Sequence, residues 1–233
     1  RDALVRAGFA SLARAIAEMA WCWSGHFRVL ERLGELQGEE HLEAALRRGK
    51  GVLLVTSHST CLEIGGSALI HRHPGVSGVY RPLKNAVMEW YQTRGRCHYV
   101  DGMISKRDAR SAVRVLRRGE TLWYAPDQDF GPEQSVFAPF FGIQTASLLA
   151  THRLPRMTGC AVVPMFPRYD AERKRYVIEI QPALENYPTD DAIADLSRIN
   201  ALLEAHVRKA PEQYWWIHRR FKTRPEGEPP FYD

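Results

Sequence analysis

The sequence predicts an α/β fold, with a central, largely parallel mixed sheet flanked by helices. Three observations carry this. Short apolar runs at 51–55, 76–81, 120–125 and 160–166 read as buried strands. Between them lie stretches with three- and four-residue apolar spacing, and strands alternating with helices form parallel sheets. Three strands end in polar clusters: His58, Arg81, and Asp127 with Asp129. In a parallel sheet those ends share one edge, where ligands bind.

Residues 2–24 read as a helix, because Leu4, Phe9, Leu12, Ile16, Met19, Ala20 and Trp23 recur at helical steps with Arg6, Arg14 and Glu18 elsewhere. It either packs on the domain or lies at a membrane interface with Trp21 and Trp23 at head-group level. The organisation expected is an N-terminal helical segment over 1–37 and one domain over 38–233. Residues 38–48 form a short amphipathic helix feeding the strand at 51–55. Thr60-Cys-Leu-Glu63 matches the capping-box pattern and opens the next helix, which stops near His73-Pro-Gly75. A helix over 85–94, capped by Asn85, precedes a short strand at 98–100 and a helix over 106–118. Residues 144–158 read as a helix. Residues 160–180 suggest a hairpin at the sheet edge, and 190–209 a long helix.

The chain of 233 residues, 45% hydrophobic and 25% charged, suits one medium-sized domain with a sizeable core. Cys22, Cys61, Cys97 and Cys160 lack paired spacing, which indicates neither a zinc site nor a disulfide framework. The formal charge of +5 suits an anionic lipid, an acidic protein or nucleic acid, and composition does not choose among them. No recognition motif for nucleic acid accompanies the basic residues. No stretch reaches the length of an apolar membrane span.

The candidate chemistry begins at His58 and Glu63. A neutral imidazole can take a proton from a hydroxyl when a carboxylate fixes its tautomer. From spacing alone, the pair reads equally as base and orienting carboxylate, or as a strand-end polar residue and a helix cap. No Gly-x-Ser-x-Gly nucleophile elbow occurs. Arg81 is a permanent cation that can fork onto phosphate, or pair with Asp127 or Asp129. Those two aspartates flank a single Gln, which is thin provision for a metal, and no metal site is assigned. Arg219 and Arg220 belong to a cationic run interleaved with Tyr214, Trp215, Trp216 and Phe221, fit for an anionic ligand.

Four blocks then occur in order: His58-x-x-x-x-Glu63, Gly78-Val-Tyr-Arg-Pro82, Trp123-Tyr-Ala-Pro-Asp-Gln-Asp-Phe-Gly-Pro132, and the stretch from Ala210 to Gly227. The first resembles the His-x4-Asp/Glu signature of the glycerolipid acyltransferase superfamily. Together they resemble the late acyltransferases of lipid A biosynthesis. The resemblance implies a glycerol-phosphate-acyltransferase-like fold with His58 and Glu63 catalytic, and with Arg81, Asp127, Asp129, Arg219 and Arg220 on the substrate side. It implies an acyl carrier protein donor, a lipid A precursor as acceptor and no cofactor beyond the thioester. It also implies a place at the cytoplasmic face of the bacterial inner membrane, behind an N-terminal anchor. Where the glycerophosphate branch has Phe-Pro-Glu-Gly, this chain has Ala125-Pro-Asp-Gln. Two alternatives remain at this point: a glycerolipid acyltransferase using acyl-CoA, and a non-catalytic basic domain.

Overall fold

The computed structural model describes residues 2–25 and 32–233. Helix α1 (Asp2–Trp23) is followed by β1 (Gly34–Gln37), α2 (Glu39–Leu46), β2 (Val52–Val55), α3 (Leu62–Arg72), β3 (Val76–Tyr80), α4 (Ala86–Arg96) and β4 (Gly102–Ser105). Then come α5 (Ala109–Arg117), β5 (Thr121–Tyr124), β6 (Ser135–Phe140), β7 (Ile143–Leu148), α6 (Ala150–Thr158), β8 (Ala161–Asp170), β9 (Arg175–Ile180) and α7 (Ala192–Lys209). Seven strands form one sheet in the order β1-β9-β8-β2-β5-β3-β4, and β6 and β7 form a separate hairpin. Every pairing in the large sheet is parallel except β8 with β9. The expected mixed, mostly parallel α/β sheet is what the chain forms.

An apolar strand with no polar side chain is stable only when covered on both faces. Val52–Val55 meets that condition, lying between β5 and β8 with all four residues buried. Alternation sends Val52 and Leu54 into one core layer and Leu53 and Val55 into the other. The first layer holds α1, α2 and α3, and the second holds α5, α6, α7 and the β6–β7 hairpin. Two glycines let α3 sit close on the first face. A Cβ at Gly65 would lie 2.2 Å from the Pro167 side chain, and one at Gly66 2.2 Å from the Trp123 ring.

Four expectations change. The strand β1, paired with β9, has no apolar run to announce it, and it places the 160–180 hairpin inside the sheet rather than at its edge. The strand expected at 98–100 lies at β4, because Tyr99 and Val100 are turned into the core behind α4. Residues 144–148 belong to β7, where Thr145 and Ser147 fit the pleat, so the helix begins only at Ala150. Finally, α1 packs through Ser11, Glu18, Cys22 and Trp23, and leaves Leu4, Val5, Phe9, Ile16 and Trp21 exposed. Its apolar stripe therefore faces largely outward. No helix among the described residues is long and apolar enough to cross a membrane.

Candidate active site

Strands β2 and β5 are neighbours in register, Val55 opposite Tyr124. The chain leaves them toward opposite faces, from β2 into α3 in the first core layer and from β5 through the hairpin to α6 in the second. Such a switch point opens a crevice at the carboxyl ends of the strands. His58 and Asp127 each follow three residues beyond a member of that pair, so the sheet itself brings them together.

The two residues are joined twice. One Asp127 oxygen accepts the His58 backbone N–H at 2.8 Å, and the other meets Nδ1 at 2.6 Å. With Asp127 ionised, Nδ1 carries the hydrogen and the lone pair falls on Nε2. Burial alone would raise the Asp127 carboxyl. The charge and hydrogen bonds of His58, with the positive charge of Arg220, outweigh that and hold it below the usual carboxylate range. The Asp127 side chain is 1% exposed and that of His58 29%, so the imidazole opens on the cavity while its partner is sealed behind it.

The tail fixes this arrangement from behind. Ser59 and Tyr214 form an antiparallel bridge, Trp215 N–H donates to the His58 carbonyl at 3.2 Å, and Thr60 N–H donates to the Gln213 carbonyl at 2.8 Å. The Tyr214 hydroxyl lies against the Asp127 carboxylate. These contacts also displace the expected capping box. Thr60 spends its hydroxyl on Ser11 of α1 at 2.6 Å, and the cap position of α3 falls to Cys61 with no side-chain cap.

His58 lines two overlapping lobes of about 730 and 680 Å³, which share Arg81, Lys106, Tyr124, Gln128 and Phe130. The larger has apolar walls from Leu62, Val79, Val100, Met103 and Trp123, suited to hydrocarbon. Its rim is cationic. Burial lowers the Lys106 ammonium, and the charges of Arg81, Arg107 and Lys222 lower it further. Arg81 is exposed at the end of β3 and forms no ion pair among the described residues. Positive groups that repel one another around a cavity make a seat for an anion such as phosphate. His218 lies in the same wall, and its Nε2 accepts the Asp129 N–H at 2.8 Å. Burial first, then Lys222 and His58, lower its pKa.

The remaining sequence-assigned residues divide. Glu63 does not orient His58. Its hydrogen bonds go to Arg96, Tyr99 and Trp23, the last at 2.8 Å. Burial would raise this carboxyl, but Arg96 and the two ring donors hold it below the ordinary range. The helix α3 starts at Leu62, and that start turns Glu63 toward α4 and α1. Asp129 is buried and lines the cavity, but its oxygens accept Thr223 N–H and Oγ1–H, both at 2.9 Å, and Gly131 N–H, so it ties the tail to the β5 loop. Arg220 is 2% exposed and donates to the Ala146 carbonyl of β7 at 2.5 Å. It supports Asp127 from inside the fold rather than meeting substrate. Arg219 is exposed over the Tyr232 ring at 5.6 Å and lines neither lobe.

Reading along the chain missed Lys106 and His218 as site residues, and took Lys222 only as part of the cationic tail run. A lysine or histidine near a strand end or in a basic tail carries no local mark of convergence. Among the described residues no cluster of three or more His, Cys, Asp or Glu could hold a metal. Burial pushes the Cys61 thiol up to about 12, which leaves it a packing group.

The family profile described as bacterial lipid A biosynthesis acyltransferase matches residues 1–223. The chain is 39% identical to the lipid A biosynthesis lauroyltransferase of Escherichia coli (strain K12), covering all of this chain and 76% of that protein. It is 39% identical to the palmitoleoyltransferase of the same strain over the same shares. Identity to that strain's myristoyltransferase is 30%, over 98% of this chain and 71% of the relative. A crystal structure of the 1-acyl-sn-glycerophosphate acyltransferase of Thermotoga maritima superposes with a TM-score of 0.47 at 16% identity, over 88% of each chain.

Proposed function

The chain belongs to the bacterial lipid A biosynthesis acyltransferases, and on that premise we propose that it moves a fatty acyl chain from an acyl carrier protein thioester to a hydroxyl on a hydroxyacyl chain of a lipid A precursor. His58 is the general base, and Asp127 is the carboxylate that orients it. One observation carries the reading: the His58 imidazole, held at 2.6 Å by a sealed carboxylate, lines a cavity with apolar walls and a cationic rim.

The step balances without a cofactor beyond the thioester. His58 Nε2 takes the hydroxyl proton as the oxygen attacks the thioester carbonyl. An imidazolium forms against the Asp127 charge, and the carbonyl oxygen becomes an oxyanion. The tetrahedral centre then collapses, the carbon–sulfur bond breaks, and the thiolate takes the proton back from His58. The general base contributes about 10²–10⁴-fold in rate. Arg81, Lys106 and Lys222 hold the acceptor's phosphate, which keeps its hydroxyl near Nε2.

The acceptor arrives from a membrane surface on the cytoplasmic side of the inner membrane. Support comes from the outward face of α1 and from exposed Trp216 and Ile217, which border an apolar groove of about 520 Å³. Trp215 lines both that groove and the catalytic cavity. The test is transfer by the purified protein, with products read by mass spectrometry. His58→Ala should lose nearly all turnover while its melting temperature stays at the wild-type value, and retention of more than a few per cent of activity would remove His58 from the chemistry.

A further inference from the structure

A second groove, of about 780 Å³, runs between α5 and α6 and carries positive charge along its length. Arg110, Arg114 and Arg117 stand at three- and four-residue steps on α5, one face over about 10 Å of helix. Arg118 ends the row, and Arg153 faces it from α6. All five are exposed or half-buried at the groove's wall. Arg118 pairs with Glu120 at 2.8 Å, and the other four form no ion pair among the described residues. No Asp or Glu lines the groove. The nearest acid on α5 is its cap, Asp108, whose side chain accepts Ser111 N–H at 3.0 Å. Like charges on adjacent turns destabilise a helix; the last turn of α5 favours Arg114 and Arg117, but the first turns of α5 and α6 disfavour Arg110 and Arg153.

The groove is joined to the catalytic cavity. Ala109, Gln134, Leu148, Ala150 and Leu154 line both it and the smaller lobe at His58. Its floor is apolar, and Met157 is 57% exposed at its far end. It shares no residue with the apolar groove of α1 and Trp216.

We propose that this groove docks the protein that delivers the thioester. An acidic helical surface lies along the arginine row, and its flexible arm passes Ala109 and Leu154 to bring the thioester to His58. The proposal rests on the carrier-protein reading of the donor given above. Two features favour a protein over a lipid. The arginines follow the pitch of a helix, as the carboxylates of an acidic helix do. Exposed Leu4, Val5, Phe9, Trp216 and Ile217, suited to a bilayer, line the other groove. Donor and acceptor thus reach His58 from two separate openings.

The test uses the Arg114→Glu/Arg117→Glu/Arg153→Glu variant, whose positions lie outside the core and whose melting temperature verifies folding. Binding of a fluorescently labelled acyl carrier protein is measured by anisotropy, independent of turnover. Transfer is then compared between the acyl-carrier-protein thioester and the same acyl chain on free pantetheine. Wild-type binding should weaken with salt, since the Debye length falls from about 10 Å at 0.1 M to about 3 Å at 1 M. The variant should bind the carrier at least about tenfold more weakly and show a matching rise in its KM. Its kinetics with acyl-pantetheine should equal wild type. Undiminished carrier binding by the variant would overturn the proposal. So would a KM increase for the lipid acceptor alone, which would make the groove a lipid-phosphate site. Wild-type protein that transfers from neither donor would defeat the acyltransferase reading instead, and the binding arm would still decide the groove.

Discussion

Replacing Asp127 by Asn keeps the volume of the side chain and changes which ring nitrogen of His58 carries the proton. The His58 backbone N–H needs an acceptor, so the single amide oxygen must take the place of the oxygen now 2.8 Å from it. The amide NH₂ is thereby forced to face Nδ1, where the second carboxylate oxygen now sits at 2.6 Å. A donor cannot face a donor, so the ring proton moves to Nε2 and the lone pair turns away from the cavity. The base is lost although the ring stays in place. A positioned base contributes about 10²–10⁴-fold, and the equivalent change in the serine-protease triad lowers kcat about 10⁴-fold. The Asp127→Asn variant also loses the negative charge that stabilises the imidazolium, leaving Arg220 with Asp129 as its remaining carboxylate neighbour. The expected fall in kcat is therefore about 10³–10⁴-fold, with KM for both substrates within about threefold of wild type. Single-turnover transfer, followed by mass spectrometry of the acylated acceptor, measures it. A kcat within tenfold of wild type would refute the relay, because no tautomer argument survives an active Asp127→Asn enzyme.

Three further outcomes follow from the same contacts. Glu63→Gln leaves the Arg96 guanidinium buried against an uncharged amide, which should cost about 3–5 kcal/mol in urea unfolding; an unchanged midpoint would mean that the pair is not a structural clamp. Burial, with help from Lys209 and Arg168, lowers His206 from 6.5 to about 4, so the folded state resists a proton that the unfolded state accepts. Stability should accordingly decline by about 3 kcal/mol as pH falls from 6.5 toward 4, and His206→Phe, stacked on Phe166, should flatten that slope. Arg81→Ala should raise KM for a phosphorylated acceptor about tenfold with kcat near wild type, since a charge-assisted hydrogen bond is worth about 1.5–3 kcal/mol before solvent reduces it; a pure kcat loss would place Arg81 at the oxyanion instead.

The sheet was legible because its central strands are short and largely apolar, as in Val52–Val55 and Thr121–Tyr124, and because Val52–Val55 is followed by helical periodicity. The strand at Gly34–Gln37 was not, since its Glu35 and Gln37 carry no apolar pattern and only pairing with β9 makes it a strand. The active site divides in the same way. His58 stands out locally, as a polar residue closing a buried strand. Its partner does not, because the pairing depends on which strand lies beside β2. Along the chain the nearest carboxylate is Glu63, five residues on; through the sheet it is Asp127, 69 residues away. Register decides between them. Val55 pairs with Tyr124, and the third residue after each leaves the sheet at the same height. Glu63 leaves instead on a helix that has already turned toward Arg96, Tyr99 and Trp23. The His-x4-Glu spacing therefore marks two devices joined by one short connection, a base at the sheet edge and a charged clamp that seats α3 against α4 and α1. Because the spacing reflects a strand–loop–helix connection, changes that disturb the clamp should reach His58 only through the position of α3, and appear first as lost stability.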